Sequence, residues 1–125
     1  MKVLLDKHTL VWALTSPDWI SKGARKAIEQ GDVIASVASL WELILKDGRK
    51  GALLNNPIPW WESEVAAAEI PVIGITSSHV KALAGLPSRR GDPFDRILVA
   101  QCQVEHATLI TKDRNLRSYP IPTIW

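Results

Sequence analysis

Apolar positions along this chain come in short runs divided by longer amphipathic stretches. Val3-Leu4-Leu5 stops abruptly at Asp6, and Val33-Ile34-Ala35 follows the Gly31-Asp32 turn signal. Such runs, bounded by turn residues, read as buried strands. The pattern predicts strands over 2–6, 33–37, 72–75 (after Pro71) and 107–111, with the tail 122–125 available as a last short one. Between them the spacing turns helical. Helices are expected over 8–14, stopped by Ser16-Pro17-Asp18, and over 21–30, ending at Gly31. Others are expected over 39–46, 60–69, 77–86 and 93–105, and a short turn over 115–119. Residues 55–59 and the basic 87–91 segment read as loops.

Strands alternating with helices predict an α/β domain with a central, mostly parallel sheet. Crossovers in such a sheet are nearly always right-handed, so the carboxyl ends of the strands share one edge. That edge is where α/β sheets take ligands. At 125 residues and 46% apolar composition, the chain reads as a single domain, 1–125, able to bury a core. One cysteine, Cys102, excludes an internal disulfide and is expected in the core. His8, His79 and His106 are scattered and no C-x-x-C occurs, which argues against structural zinc. No apolar run reaches membrane-spanning length. Asp6 and Lys7 fall where a signal peptide needs apolar residues, so the expected location is the cytoplasm.

The acids change the picture most. Asp6 ends the first strand, Glu42 is expected in the first turn of the helix after the second, Asp95 opens the helix of DPFDRILVAQ, and Asp113 follows the 107–111 strand. Four segments thus bring one carboxylate each to the same edge. Two ionised carboxylates about 5 Å apart repel by roughly 3 kcal/mol at an effective dielectric of ~20. The chain must protonate one or bind a cation. All-oxygen ligands select a hard cation, Mg²⁺ or Mn²⁺, and such a site suits phosphodiester hydrolysis. Each acid also has a local reading. Ser39-Leu40-Trp41-Glu42 matches a capping box, and Glu42 stands four residues before Lys46. Asp92 reads as the cap before Pro93, with Asp95 near the positive end of that helix; Asp113 reads equally as a cap. Asp6 has the least convincing local alternative.

LLDKH, SLWEL, GDPFDRILVAQ and LITKD, in this order, resemble the PIN-domain (PilT N-terminus) family, and within it the VapC-type toxin ribonucleases. The resemblance covers nearly the whole chain. It implies a PIN-like three-layer α/β/α fold and Mg²⁺- or Mn²⁺-dependent endoribonuclease activity. It also implies a cognate VapB-like antitoxin, a homodimer and a larger toxin–antitoxin complex. The family's acidic quartet falls on Asp6, Glu42, Asp95 and Asp113; its metal ligands are best matched by Asp6 and Asp95, and its hydroxyl by Thr111. One position departs: where the family carries Thr or Ser after the first aspartate, this chain has Lys7. Lys7 is expected to turn out toward RNA phosphates. If it leans in, it competes with the cation, and the chain becomes a catalytically weak binding module acting through its partner.

Setting the quartet aside leaves nine acids against fifteen basic residues, a surface of +6 suited to a polyphosphate. Candidate flanks are Lys46, Arg49 and Lys50, then Arg89 and Arg90, then Lys112 and Arg114. Trp12 and Trp41 are expected in the core, one of Trp60 and Trp61 exposed, and His8 a structural hydrogen-bonder rather than a base. A receiver-like phosphoryl-transfer protein using Asp6 as nucleophile is disfavoured, because no acidic pair precedes Asp6 and no D-x-D follows the strand.

Overall fold

Strict alternation along three strands sets the architecture of the computed structural model, which describes residues 1–87 and 91–125. Strand β1 (Lys2–Leu5) is followed by helix α1 (Lys7–Thr15), a 3₁₀ turn (Pro17–Trp19), α2 (Lys22–Gln30), β2 (Asp32–Ser36) and α3 (Val37–Lys46). Next come α4 (Pro57–Trp60), continuing as a π-helical turn (Trp61–Val65), then β3 (Val72–Ile73) and α5 (Ser77–Ala82). The chain closes with α6 (Pro93–Glu105), β4 (Thr108–Ile110), α7 (Arg114–Arg117) and β5 (Thr123–Ile124). The sheet order is β3-β2-β1-β4-β5, and every pairing is parallel.

Side chains alternate across a strand. Leu4, Ile34 and Leu109 therefore enter one core, with Ile97, Leu98, Leu116 and Tyr119. Val3, Leu5, Ala35 and Ile110 enter the other, with Leu10, Val11, Ala24 and Trp61. Both faces are covered, giving the three-layer α/β/α arrangement, with β1 fully buried at its centre from Val3 to Leu5. Cys102 lies in the core as expected, and burial pushes its thiol up to about 12.

Four local expectations are corrected. Helix α3 begins at Val37, because Ser36 caps it by accepting the Ala38 N–H at 3.0 Å. Ser39 is therefore inside the helix and closes no capping box, and Glu42 sits in the second turn. Helix α4 begins at Pro57, inside the expected loop, with Asn56 in the left-handed region (φ 50°) turning the chain into it. Trp61 is buried and Trp60 half-buried against the same core; neighbours about 100° apart on a helix both reach a broad groove. Trp41 is 54% exposed, off the Ala38–Glu42 face, and meets Phe94 edge-on at 4.8 Å.

The turn from α2 into β2 is the tightest point. A Cβ built on Gly31 lies 2.7 Å from the Ala27 carbonyl oxygen and 3.1 Å from that of Met1. Both are backbone atoms of packed elements. Gly31→Ala is expected to cost about 1–3 kcal/mol in urea denaturation, with the slope of the transition unchanged.

Candidate active site

The chain leaves the centre of the sheet in opposite directions after β1 and after β4: β2 lies on one side of β1 and β4 on the other. Outside that switch point, at the carboxyl edge, α/β sheets form their crevice. Here a cavity of about 130 Å³ is lined by Asp6, Glu42, Asp92, Asp95 and Asp113, with Lys7, His8, Lys46 and Leu98. All four acids of the expected quartet are in it. A larger cavity, about 540 Å³, lies elsewhere and contains none of them.

Three of the acids get there as helix caps. Asp6 caps α1: Oδ1 accepts the Thr9 N–H at 2.8 Å. Asp92 caps α6 through the Phe94 N–H, and Asp113 caps α7 through the Asn115 N–H, both at 2.8 Å. Capping and lining the cavity are one role here, since a cap stands where helix N–H groups and the positive dipole end face the anion. Thr111 is fully buried; its hydroxyl donates to Asp6 Oδ2 and accepts the Asp113 N–H at 3.1 Å. Thr9, unremarked in the sequence, donates its hydroxyl to the Ile110 carbonyl at 3.0 Å and ties α1 to β4. The Asp6 cap uses the Thr9 backbone N–H, which any residue supplies, so only an acid directly before a helix could signal it.

Lys7 does not turn outward. It is 7% exposed, and its Nζ lies 3.2 Å from Glu42 Oε2. Lys46 Nζ meets the same oxygen at 2.9 Å, the i,i+4 pair anticipated on α3. The reason is local. Asp6 starts α1, so residue 7 begins the helix at the cavity wall, and the buried Glu42 carboxylate attracts the nearest ammonium. Lys46 is thus tied to Glu42, which raises its pKa. Lys112, Arg114, Arg49 and Lys50 are exposed, the last two on the turn after α3 and away from the cavity lining. Arg89 and Arg90 lie outside the described residues. His8 packs edge-on against Trp12, ring centres 5.4 Å apart. Partial burial, then the Lys7 ammonium, lower its pKa.

Asp95 is the acid under stress. Burial, then the charges of Asp92, Asp113, Glu42 and Asp6, raise its pKa to about 7. The donor set is all oxygen, the kind a hard cation takes. Among the described residues, however, no three acid, histidine or cysteine side chains are already drawn together as a metal cage. The hydrogen bonds explain this: Asp6 holds Thr9 and Thr111, Glu42 holds two lysines, and Asp113 holds Asn115. The residues fit such a cation in chemistry and charge, and Lys7 and Lys46 already share the Glu42 oxygen Oε2.

The PIN-domain family model matches residues 3–122. The chain belongs to the PIN-domain family. Ribonuclease VapC22 of Mycobacterium tuberculosis is 37% identical to it over 129 aligned positions, which span 98% of each protein. The PIN fold is shared with the VapBC2 complex of Rickettsia felis bound to a promoter DNA fragment, at TM-score 0.69 and 14% identity over 98% of this chain and 97% of that one. It is also shared with the DNA-bound VapBC of Salmonella typhimurium, at TM-score 0.65 and 16% identity over 98% and 96%. At these identities the structural matches speak to fold alone. No helix among the described residues of this PIN domain is long and apolar enough to cross a membrane.

The Asp95 shift has a sign. Its folded pKa lies above the ordinary 3.8, so folded protein keeps a proton that the unfolded chain gives up. That contribution is full below pH ~4 and is lost as pH rises through ~7. In metal-free protein, Asp95→Asn is expected to leave the melting temperature unchanged at pH 4 and raise it by about 5 °C at pH 8, read by calorimetry.

Proposed function

We propose that this PIN domain is a divalent-metal-dependent endoribonuclease, the toxin of a toxin–antitoxin pair. The observation that carries the reading is the convergence of Asp6, Glu42, Asp95 and Asp113 on one cavity that crowds Asp95. The curated relative at 37% identity, named a ribonuclease, supports the activity. The VapBC complexes of the same fold support a VapB-like antitoxin as partner. A homodimer, a larger complex with the antitoxin and a cytoplasmic setting belong to the same proposal.

Bound Mg²⁺ or Mn²⁺ supplies an activated water and offsets charge developing on the phosphate. The chain does the rest. Asp6 and Asp95 are the proposed principal ligands, with Glu42 and Asp113 completing the acidic wall. Thr111 fixes the Asp6 carboxylate by its hydrogen bond, and the Thr9 N–H of α1 holds the other oxygen. Lys112 and Arg114, exposed on either side of Asp113, are the cations proposed for phosphates of the strand.

Purified protein, free of antitoxin, is expected to cleave RNA with Mg²⁺ or Mn²⁺ and to stop when EDTA is added. Asp95→Asn is expected to lower the rate at least about 100-fold while the protein stays folded. The check is mapping of RNA ends after induced expression and with purified protein. Intact RNAs at millimolar Mg²⁺ contradict the reading.

One observation favours a second reading: the buried Lys7 ammonium already neutralises Glu42. On that reading the cavity is self-filled, and the PIN domain acts as a binding module through its antitoxin. Mn²⁺ titration by calorimetry separates the two. The nuclease reading predicts binding heat in wild type and about tenfold tighter binding in Lys7→Thr, where a competing cation is gone. Heat in Lys7→Thr with none in wild type favours the module.

A further inference from the structure

Beside the acidic cavity lies a second pocket of about 220 Å³, bordered by Asp6, His8, Trp12, Lys112 and Asp113. Asp6, His8 and Asp113 border both, so the two share a wall. We propose that this pocket seats one nucleobase of the RNA strand, next to the phosphate at the acidic cavity. The proposal rests on the nuclease reading and adds a base-binding subsite to it.

Trp12 is the platform. It stands on α1 six residues after Asp6, half-buried, and three rings brace it: His8 at 5.4 Å, Trp19 at 5.7 Å and Trp125 at 6.1 Å, all in T-shaped contact. An indole fixed in this way is pre-organised for stacking, and every base offers a π face. The charges decide which part of a nucleotide enters. Asp6 and Asp113 form one side of the pocket and repel a phosphate; an uncharged base meets no such penalty. Lys112, exposed at the rim, is the cation for the backbone on which that base hangs. The two pockets thus set acids for the phosphate beside an aromatic platform for its base, with a lysine bordering that platform's pocket.

The test uses short RNAs that contain the mapped cleavage site, each with one abasic nucleotide. An abasic sugar at one position flanking the cleaved bond is expected to raise KM about tenfold in wild type. His8→Ala and Trp12→Leu are expected to raise KM comparably on intact RNA, with no further loss on that abasic RNA. Trp12 also packs on the core, so the exposed His8→Ala carries the test if Trp12→Leu does not fold. Cleavage with no abasic penalty at any position, or a penalty unchanged in the folded variants, overturns the subsite and leaves the nuclease reading standing. If wild type cleaves no RNA, the nuclease reading falls instead, and fluorescence anisotropy with the same RNAs decides. Binding that weakens at one abasic position and loses that dependence in His8→Ala supports the pocket; binding indifferent to the missing base overturns it.

Discussion

Repulsion among carboxylates is the constraint on which this structure turns. Five of them, Asp6, Glu42, Asp92, Asp95 and Asp113, line one small cavity. Each close ionised pair costs a few kcal/mol in a partly buried setting. The fold meets that cost in three ways. Helices α1, α6 and α7 aim their N-termini at the cavity and tie three acids to backbone N–H groups. Lys7 and Lys46 share one Glu42 oxygen. Asp95, with neither kind of partner among the described contacts, shifts its pKa instead. The parallel sheet makes this possible, since it delivers strand ends and helix starts to the same edge.

The same geometry links stability to function. A site that strains against its own charge is the site a hard cation relieves. Hydrogen bonds and ion pairs hold Asp6, Asp92, Asp113 and Glu42, and among the described contacts Asp95 alone is left to carry the crowding. Lys7 is the point where the two demands meet. Buried at the wall, it pairs with Glu42, the contact that the proposed cation would have to contest.

Much of this was legible in the chain. Alternating runs such as Val3-Leu4-Leu5 and Leu109-Ile110 carry the two cores in their parity, and each expected strand appears, shortened except for 33–37, which is shifted one residue earlier. The convergence of the four acids followed from topology alone. Side-chain direction did not. Lys7 read as a rim residue because lysines seldom lie buried, and only the position of Glu42 across the cavity draws it inward. Glu42 itself was placed a turn too early, because Ser39 imitated a cap that Ser36 provides. Trp41 and Trp12 looked alike in an apolar helical pattern. The angle of each around its helix, set by packing, leaves Trp41 exposed and turns Trp12 to the pocket edge.

On the proposed reading, the cavity at the carboxyl edge is a cation site formed by these acids. A crystal of the protein soaked in Mn²⁺ tests it directly through the anomalous difference map. A cation site gives a peak between Asp6 and Asp95, with Lys7 Nζ displaced from Glu42. A map without that peak, with Lys7 still paired to Glu42 at saturating Mn²⁺, would contradict it.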